Sequence, residues 1–232
     1  MNETTALEIL NQIKEFYNKA SESFSSTRQR IWPEFEVLIK KLLKDKEKVL
    51  DFGCGNGRFS EIFKKTQYIG VDISSKLIDM AQKKYPRKKF LVIDGLNLPF
   101  KDNFFDLVIA IAVFHHIPSK ELRIKVLKEI KRVLKNNGIL FLSVWYLLDK
   151  PHIWKLILKL AFKKIFKKDK TDFFDVYLPW QNKYLRYFHL FSKRSLKKEI
   201  QKSGFSIEKI FVLKRSNQKN LITIAKNQNS LI

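Results

Sequence analysis

Lys48-Val49-Leu50-Asp51-Phe52-Gly53-Cys54-Gly55-Asn56-Gly57 is a short apolar run that ends in an acid and then in alternating glycines. It reads as a buried strand turning into a helix, with glycines that permit a tight bend and a close backbone approach to a ligand. Working outward, apolar runs at 68–72, 89–93, 105–112 and 139–145 read as further strands. Helical patterns at about 58–65, 75–84 and 119–134 separate them. The uninterrupted apolar character of 105–112 marks a central strand covered on both faces.

Strands alternating with helices of this length need right-handed crossovers and a mostly parallel sheet. A helix at 193–202 and strands at 206–213 and 220–225 close the chain, and the short 215–219 link fits an antiparallel hairpin. The expected fold is therefore α/β: a Rossmann-like, seven-stranded, mostly parallel sheet with helices on both faces and an antiparallel last strand. At 232 residues the chain suits one large domain with appendages. The expected parts are a helical lead-in over the active site at 1–45, a cofactor-binding core at 46–145, a basic and aromatic insertion for substrate at 146–191, and a C-terminal helix and hairpin at 192–232.

Composition narrows the function classes. Cys54 is the single cysteine, so no internal disulfide forms, and no Cys/His cluster has ligand spacing, so no metal is expected. No run approaches the roughly 18 to 20 apolar residues of a spanning helix, and the first residues carry no basic-then-apolar signal, which together predict a cytoplasmic protein. The formal charge of +23 points to a polyanionic partner, set against the plainer reading of solvated lysine faces.

The glycine spacing is G-x-G-x-G, unlike the dinucleotide G-x-G-x-x-G, which weighs against a nicotinamide enzyme. Asp72 ends the second strand about 20 residues after Asp51, where it can accept two ribose hydroxyls. The third strand ends in Asp94-Gly95-Leu96, a carboxylate beside the adenine position. For Asp51 the competing reading is a turn residue that caps backbone amides. This arrangement over about 46–145 resembles the S-adenosylmethionine methyltransferase superfamily. The resemblance implies S-adenosyl-L-methionine as cofactor, bound by Asp51, Gly53, Gly55, Gly57, Asp72, Asp94, Gly95, Leu96 and Ala112.

Ile111-Ala112-Val113-Phe114-His115-His116-Ile117 follows the fourth strand, at the carboxyl edge where open α/β sheets hold ligands. Phe24-Ser25-Ser26-Thr27-Arg28 with Trp32-Pro33, the segment 175–180, and Arg186-Tyr187-Phe188-His189-Leu190-Phe191 accompany it. Together these resemble the tRNA methyltransferases that esterify 5-carboxymethyluridine at the wobble position, over about residues 14–205. The resemblance implies a tRNA-modifying enzyme, tRNA as partner and a small zinc-binding activator subunit. A carboxylate acceptor is already ionised at neutral pH and needs orientation rather than a base. Arg28 and Arg186 are the expected carboxylate forks, and His116 is the third catalytic candidate. His115, Trp145, Trp180 and Tyr187 are the candidate substrate contacts, with packing in the core as the alternative for each. The segment after Trp145 and the ending at 220–226 depart from the family pattern.

Between Lys150 and Lys170 the residues Trp154, Ile157, Leu158, Ala161, Ile165 and Phe166 fall near one helical face among lysines. That stretch suits tRNA phosphates, with an anionic membrane surface as the competing partner. A second functional reading is a methyltransferase for a small lipophilic or phenolic acceptor, of the quinone or sterol type, with His116 as base. A third is a cofactor-binding regulatory or structural RNA-binding protein without turnover.

Overall fold

The computed structural model describes residues 1–43, 47–165, 170–181, 183–215 and 218–228, the side chains of 162–165 excepted. Three helices lead in: α1 (Glu3–Lys19), α2 (Ser21–Ser26) and α3 (Pro33–Leu42). The sheet strands are β1 (Lys48–Phe52), β2 (Gln67–Asp72), β3 (Lys89–Val92), β4 (Phe105–Ile111), β5 (Leu134–Trp145), β8 (Ser206–Arg215) and β9 (Gln218–Lys226). Between them lie α4 (Ser75–Lys84), α5 (Lys120–Val133), α6 (Pro151–Ile165), the hairpin β6 (Asp175–Trp180) and β7 (Tyr184–His189), and α7 (Lys193–Lys202).

The seven-stranded sheet runs β3-β2-β1-β4-β5-β9-β8, and only β9 opposes the direction of its neighbours. Strand order reverses between β1 and β4, so a crevice opens at their carboxyl ends. Alternate residues of each strand fill two separate layers. Leu50, Val108, Ala110, Leu140 and Leu142 pack toward α5 and α7, while Val49, Leu107, Ile109 and Phe141 pack toward α3 and α4. All nine are fully buried, so truncating any of the leucines should cost about 2 to 5 kcal/mol.

The lead-in helices are set by caps and apolar spacing. Asn2 accepts from Thr5 N at 2.8 Å to start α1, whose buried stripe is Ala6, Ile9, Ile13 and Phe16. Pro33 opens α3, where a missing N–H costs nothing, and so fixes the preceding Trp32 at the edge of the crevice.

Two expected elements have different bounds. The helix expected at 58–65 is a single tight turn, Arg58–Ile62, because Phe59 and Phe63 both dive into the core beneath α3. The strand expected from 139 begins at Leu134. Asn227 Nδ2 donates to the carbonyls of Lys131, Leu134 and Lys135, so the chain leaves α5 already extended. The aromatic stretch before His189 is a two-stranded hairpin outside the main sheet.

α6 packs on one face of that hairpin through Ile153 and Ile157, which meet Val176 and Phe188. Trp154 and Leu158, expected on one apolar face with Ile157, are exposed. The buried stripe thus lies one residue, about 100°, around the axis from the expected one. Phe166 of the basic stretch and the 45/46 boundary fall outside the described residues. No described helix is long and apolar enough to cross a membrane.

Candidate active site

One cavity of about 1070 Å³, part of it open to solvent, occupies the crevice at the carboxyl ends of β1, β2 and β4. Its floor is the turn after β1. Gly53 N and Cys54 N both donate to the Val71 carbonyl, at 2.8 and 2.9 Å, which folds the turn back across β2. Gly53 has φ +73°, and a Cβ there would lie 2.3 Å from Val113 Cγ2. The turn therefore passes the segment after β4 at a distance that only glycine permits. Gly57, also at φ +73°, would put a Cβ 2.8 Å from the Phe90 ring.

Three carboxylates from three strand ends face this floor. Asp51 is buried and receives the Tyr68 hydroxyl at 2.7 Å. Burial, with the neighbouring Asp72 charge, raises its pKa to about 7 against the pull of Tyr68 and Arg58. Asp72 accepts from Gly55 N and Ser74 N, both at 2.9 Å, and burial raises its pKa despite those bonds. Asp94 accepts from Leu96 N at 2.9 Å, and Gly95 beside it also lines the cavity. Ala112 sits opposite at φ +54°, its N–H held by the Ser143 carbonyl and hydroxyl, both at 3.0 Å. A glycine cradle with acids at these stations suits a ligand bearing an ammonium, a ribose diol and an adenine amine.

The other half of the cavity is cationic and aromatic. Arg186 projects from β7, is 5 % exposed, and lies 4.6 Å from the Phe188 ring, 4.9 Å from Trp180 and 5.1 Å from Trp145. Arg28, from the loop after α2, lies 4.3 Å from Phe24 and 4.7 Å from Trp180. Burial, with repulsion from Arg186, lowers the Arg28 pKa to about 10, which leaves it charged at neutral pH. Among the described residues no carboxylate comes within ion-pair distance of either guanidinium, and Arg186 Nε is buried without a partner.

A hydrogen-bonded relay joins Arg186 to the paired imidazoles. Arg186 Nη1 donates to Tyr17 Oη at 3.3 Å. Tyr17 Oη meets His116 Nε2 at 2.8 Å, and His116 Nδ1 meets the Tyr187 carbonyl at 2.8 Å. A carbonyl only accepts, so Nδ1 carries the hydrogen and Nε2 accepts from Tyr17. Burial and the nearby Arg186 and Arg28 charges hold His116 well below the usual imidazole pKa, while the Tyr187 carbonyl opposes them. His115 stacks on Phe188 with ring centroids 5.0 Å apart, and burial, His116 and Arg186 depress it likewise.

The fold brings most of the residues singled out from sequence to this one cavity: Arg28, Asp51, Gly53, Gly55, Asp72, Asp94, Gly95, Ala112, His115, His116, Trp145 and Arg186 all line it. Four do not. Gly57 lies behind the turn, and the Leu96 side chain is in the core. Trp180 backs the two arginines, and the Tyr187 ring packs on Ile9, Ile13 and Tyr177 with only its carbonyl turned toward His116. Tyr17, Asn56 and Arg58 are polar residues that line the cavity without being among the expected site residues. Asn56 Nδ2 ties the glycine turn to the lead-in through Ser25 Oγ at 3.0 Å and the Arg28 carbonyl at 3.2 Å. Its place inside the glycine turn was the available signal, as was that of Arg58 directly after it.

Comparison with known proteins agrees with this geometry. The methyltransferase domain family matches residues 50–142. The chain is 30% identical over 218 residues, covering 84% of this chain and 89% of the relative, to a Schizosaccharomyces pombe protein named tRNA (carboxymethyluridine(34)-5-O)-methyltransferase. An Arabidopsis thaliana protein of the same name is 36% identical over 129 residues, and there the match covers 56% of this chain and 31% of the relative. In fold, the chain superposes on a Methanosarcina mazei S-adenosylmethionine-dependent methyltransferase with a TM-score of 0.71 at 23% identity, covering 86% of this chain and 99% of that one. It superposes also on a Haloferax volcanii methyltransferase solved with the Trm112 methyltransferase activator, at TM-score 0.68 and 16% identity over 95% of this chain and 99% of that one. The glycine cradle with its three acids, and this relative aligned over most of both chains, make the protein an S-adenosylmethionine-dependent methyltransferase that belongs to the tRNA (carboxymethyluridine(34)-5-O)-methyltransferase family.

Proposed function

We propose that the protein modifies tRNA, transferring the methyl group of S-adenosylmethionine to the carboxylate of a 5-carboxymethyl-type wobble uridine. The observation that carries this reading is the pair of a half-buried Arg28 and a buried Arg186, fixed on aromatic rings and, among the described residues, without a carboxylate at ion-pair distance. Buried cations held unpaired mark the place of an anionic ligand. Relatives named for this reaction support it.

In this reading Asp51 meets the ammonium of the methionine moiety across the Gly53 and Gly55 backbone. Asp72 takes the ribose hydroxyls, while Asp94, with the Gly95 and Leu96 backbone, takes the adenine edge. The Gly57 bend and Ala112 complete the cradle. When bound, the cofactor supplies a methyl group made electrophilic by a sulfonium. Arg28 and Arg186 grip the acceptor carboxylate so that one oxygen stays free to attack in line. A carboxylate so held is already ionised, so these residues would need to remove no proton from it.

His116 orients and does not abstract, because its Nε2 lone pair is already engaged by Tyr17. That engagement weighs against the phenolic-acceptor reading, which needs a free base. His115 and Trp145 form a ring wall beside Phe188, suited to stacking an extruded base. Trp180 supports from behind the arginines, and Tyr187 supports His116 through its carbonyl.

The excess of lysine, including Lys150, Lys155 and Lys159 on and before α6, provides phosphate contacts for the tRNA. A small activator subunit is part of the same reading, on the precedent of the Haloferax complex. The test is incubation with labelled S-adenosylmethionine and either tRNA lacking wobble esters, with and without an activator, or a small-molecule extract, followed by digestion. Label in a base-labile methyl ester of a wobble nucleoside is expected. Label only in a small-molecule extract, or on a base-stable position, overturns the assignment.

A further inference from the structure

Arg58 is a third guanidinium in the cavity and, with Arg186, one of the two that are buried; neither the glycine cradle nor the arginine pair accounts for it. It is 8 % exposed, lies 4.4 Å from the Trp32 ring and 5.0 Å from Phe59, and its Nη1 is buried with no hydrogen-bond partner. Among the described residues no carboxylate lies within ion-pair distance of it. Burial, Arg28 and Arg215 together lower its pKa to about 10 in spite of Asp51, which still leaves a charge at neutral pH. A charge held out of water at that depth, with one donor unanswered, is costly unless an anion arrives.

The position of Arg58 says which anion. It directly follows Gly57, so it stands on the same turn as Asp51, Gly53 and Gly55, and it lines the cavity with them. Arg28 and Arg186 share Trp180 on the acceptor side, whereas Arg58 rests on Trp32 at the cofactor side. The methionine end of the cofactor carries a carboxylate beside its ammonium, and Asp51 can neutralise only the ammonium. Trp32, placed by Pro33 at the start of α3, holds the guanidinium plane in position, which lowers the entropy lost on binding.

Resting on the cofactor assignment, we propose that Arg58 binds the α-carboxylate of the cofactor's methionine moiety, so that Asp51 and Arg58 read its two charges separately.

Calorimetry with S-adenosylhomocysteine and with its decarboxylated analogue tests this. The wild-type protein should bind S-adenosylhomocysteine tighter than the analogue by about 10- to 100-fold, the range of one charge-assisted pair. Arg58→Met, which keeps stem packing on Trp32, should lose that same factor for S-adenosylhomocysteine and almost nothing for the analogue. Arg58→Lys should lie between and guards against a folding defect in the Met variant. Equal losses for both ligands, or no loss for either, overturn the role of Arg58. Failure of the wild-type protein to bind S-adenosylhomocysteine at all would instead overturn the cofactor site.

Discussion

The cavity has two halves built on opposite plans. On the glycine-turn side, proposed above for the cofactor, acids at the ends of adjacent parallel strands meet backbone amides from their own neighbourhood: Asp72 holds Gly55 and Ser74, and Asp94 holds Leu96. On the other side, proposed above for the acceptor, the charged groups are arginines, and segments far apart in sequence support them. Tyr17 of α1 bridges His116 and Arg186, and Trp180 of β6 backs both Arg28 and Arg186. The first half is a property of the sheet edge. The second exists only once the lead-in helices and the hairpin close over that edge. Ligand recognition should therefore divide along the same line.

The sharpest way to break that division is Arg186→Met, alone or with Arg28→Met. Loss of a charge-assisted carboxylate grip should cut turnover about 100-fold or more, while S-adenosylhomocysteine affinity measured by calorimetry changes by less than about 2-fold. Parallel loss of affinity would show the halves to be one site. Asp72→Ala should show the reverse pattern, weakening S-adenosylhomocysteine by about 30-fold through its two hydroxyl bonds. Turnover at saturating cofactor should survive within a few-fold, and a melting curve would separate this from a collapse of the Gly55 turn.

Smaller effects sharpen the picture. Asp51 has its pKa raised to about 7 in the free protein, so its neutral form favours folding and that contribution is lost as pH rises through 7. A ligand ammonium favours the ionised form, so binding must expel a proton below pH 7. S-adenosylhomocysteine affinity should climb by up to about tenfold per pH unit below 7 and level off above it. Calorimetry in two buffers of different ionisation enthalpy reads that proton directly, and Asp51→Asn should abolish it. The smallest change is expected for Tyr17→Phe. It removes one hydroxyl from the Arg186 to His116 relay and should slow turnover about 5- to 10-fold, with cofactor affinity intact.

Legibility followed the same boundary. Asp51, Asp72 and Asp94 could be read in sequence because each ends an apolar strand, and a strand end in a parallel sheet has one destination. Arg28 and Arg186 were reached through a resemblance, since nothing in their local pattern says that they share Trp180. Tyr17 was hidden in a helical stripe with Phe16, where an aromatic residue reads as core. The hairpin at 175–189 was missed because Asp175, Pro179 and Arg186 interrupt the alternation that marks a strand. Its pairing is secured by what surrounds it: α6 on one face, through Val176 and Phe188, and α1 on the other, through Tyr187.

By itself the sequence determined a parallel α/β sheet, the glycine bend at the end of its first strand and the acids around it, because hydrophobic periodicity and glycine conformation act within a few residues. Only tertiary structure decided which arginines would line the cavity without a carboxylate among the described residues, which nitrogen of His116 keeps its hydrogen, and that Arg58 would rest on Trp32. Those depend on desolvation and on contacts between segments as much as 169 residues apart, as for Tyr17 and Arg186, and no local pattern encodes them.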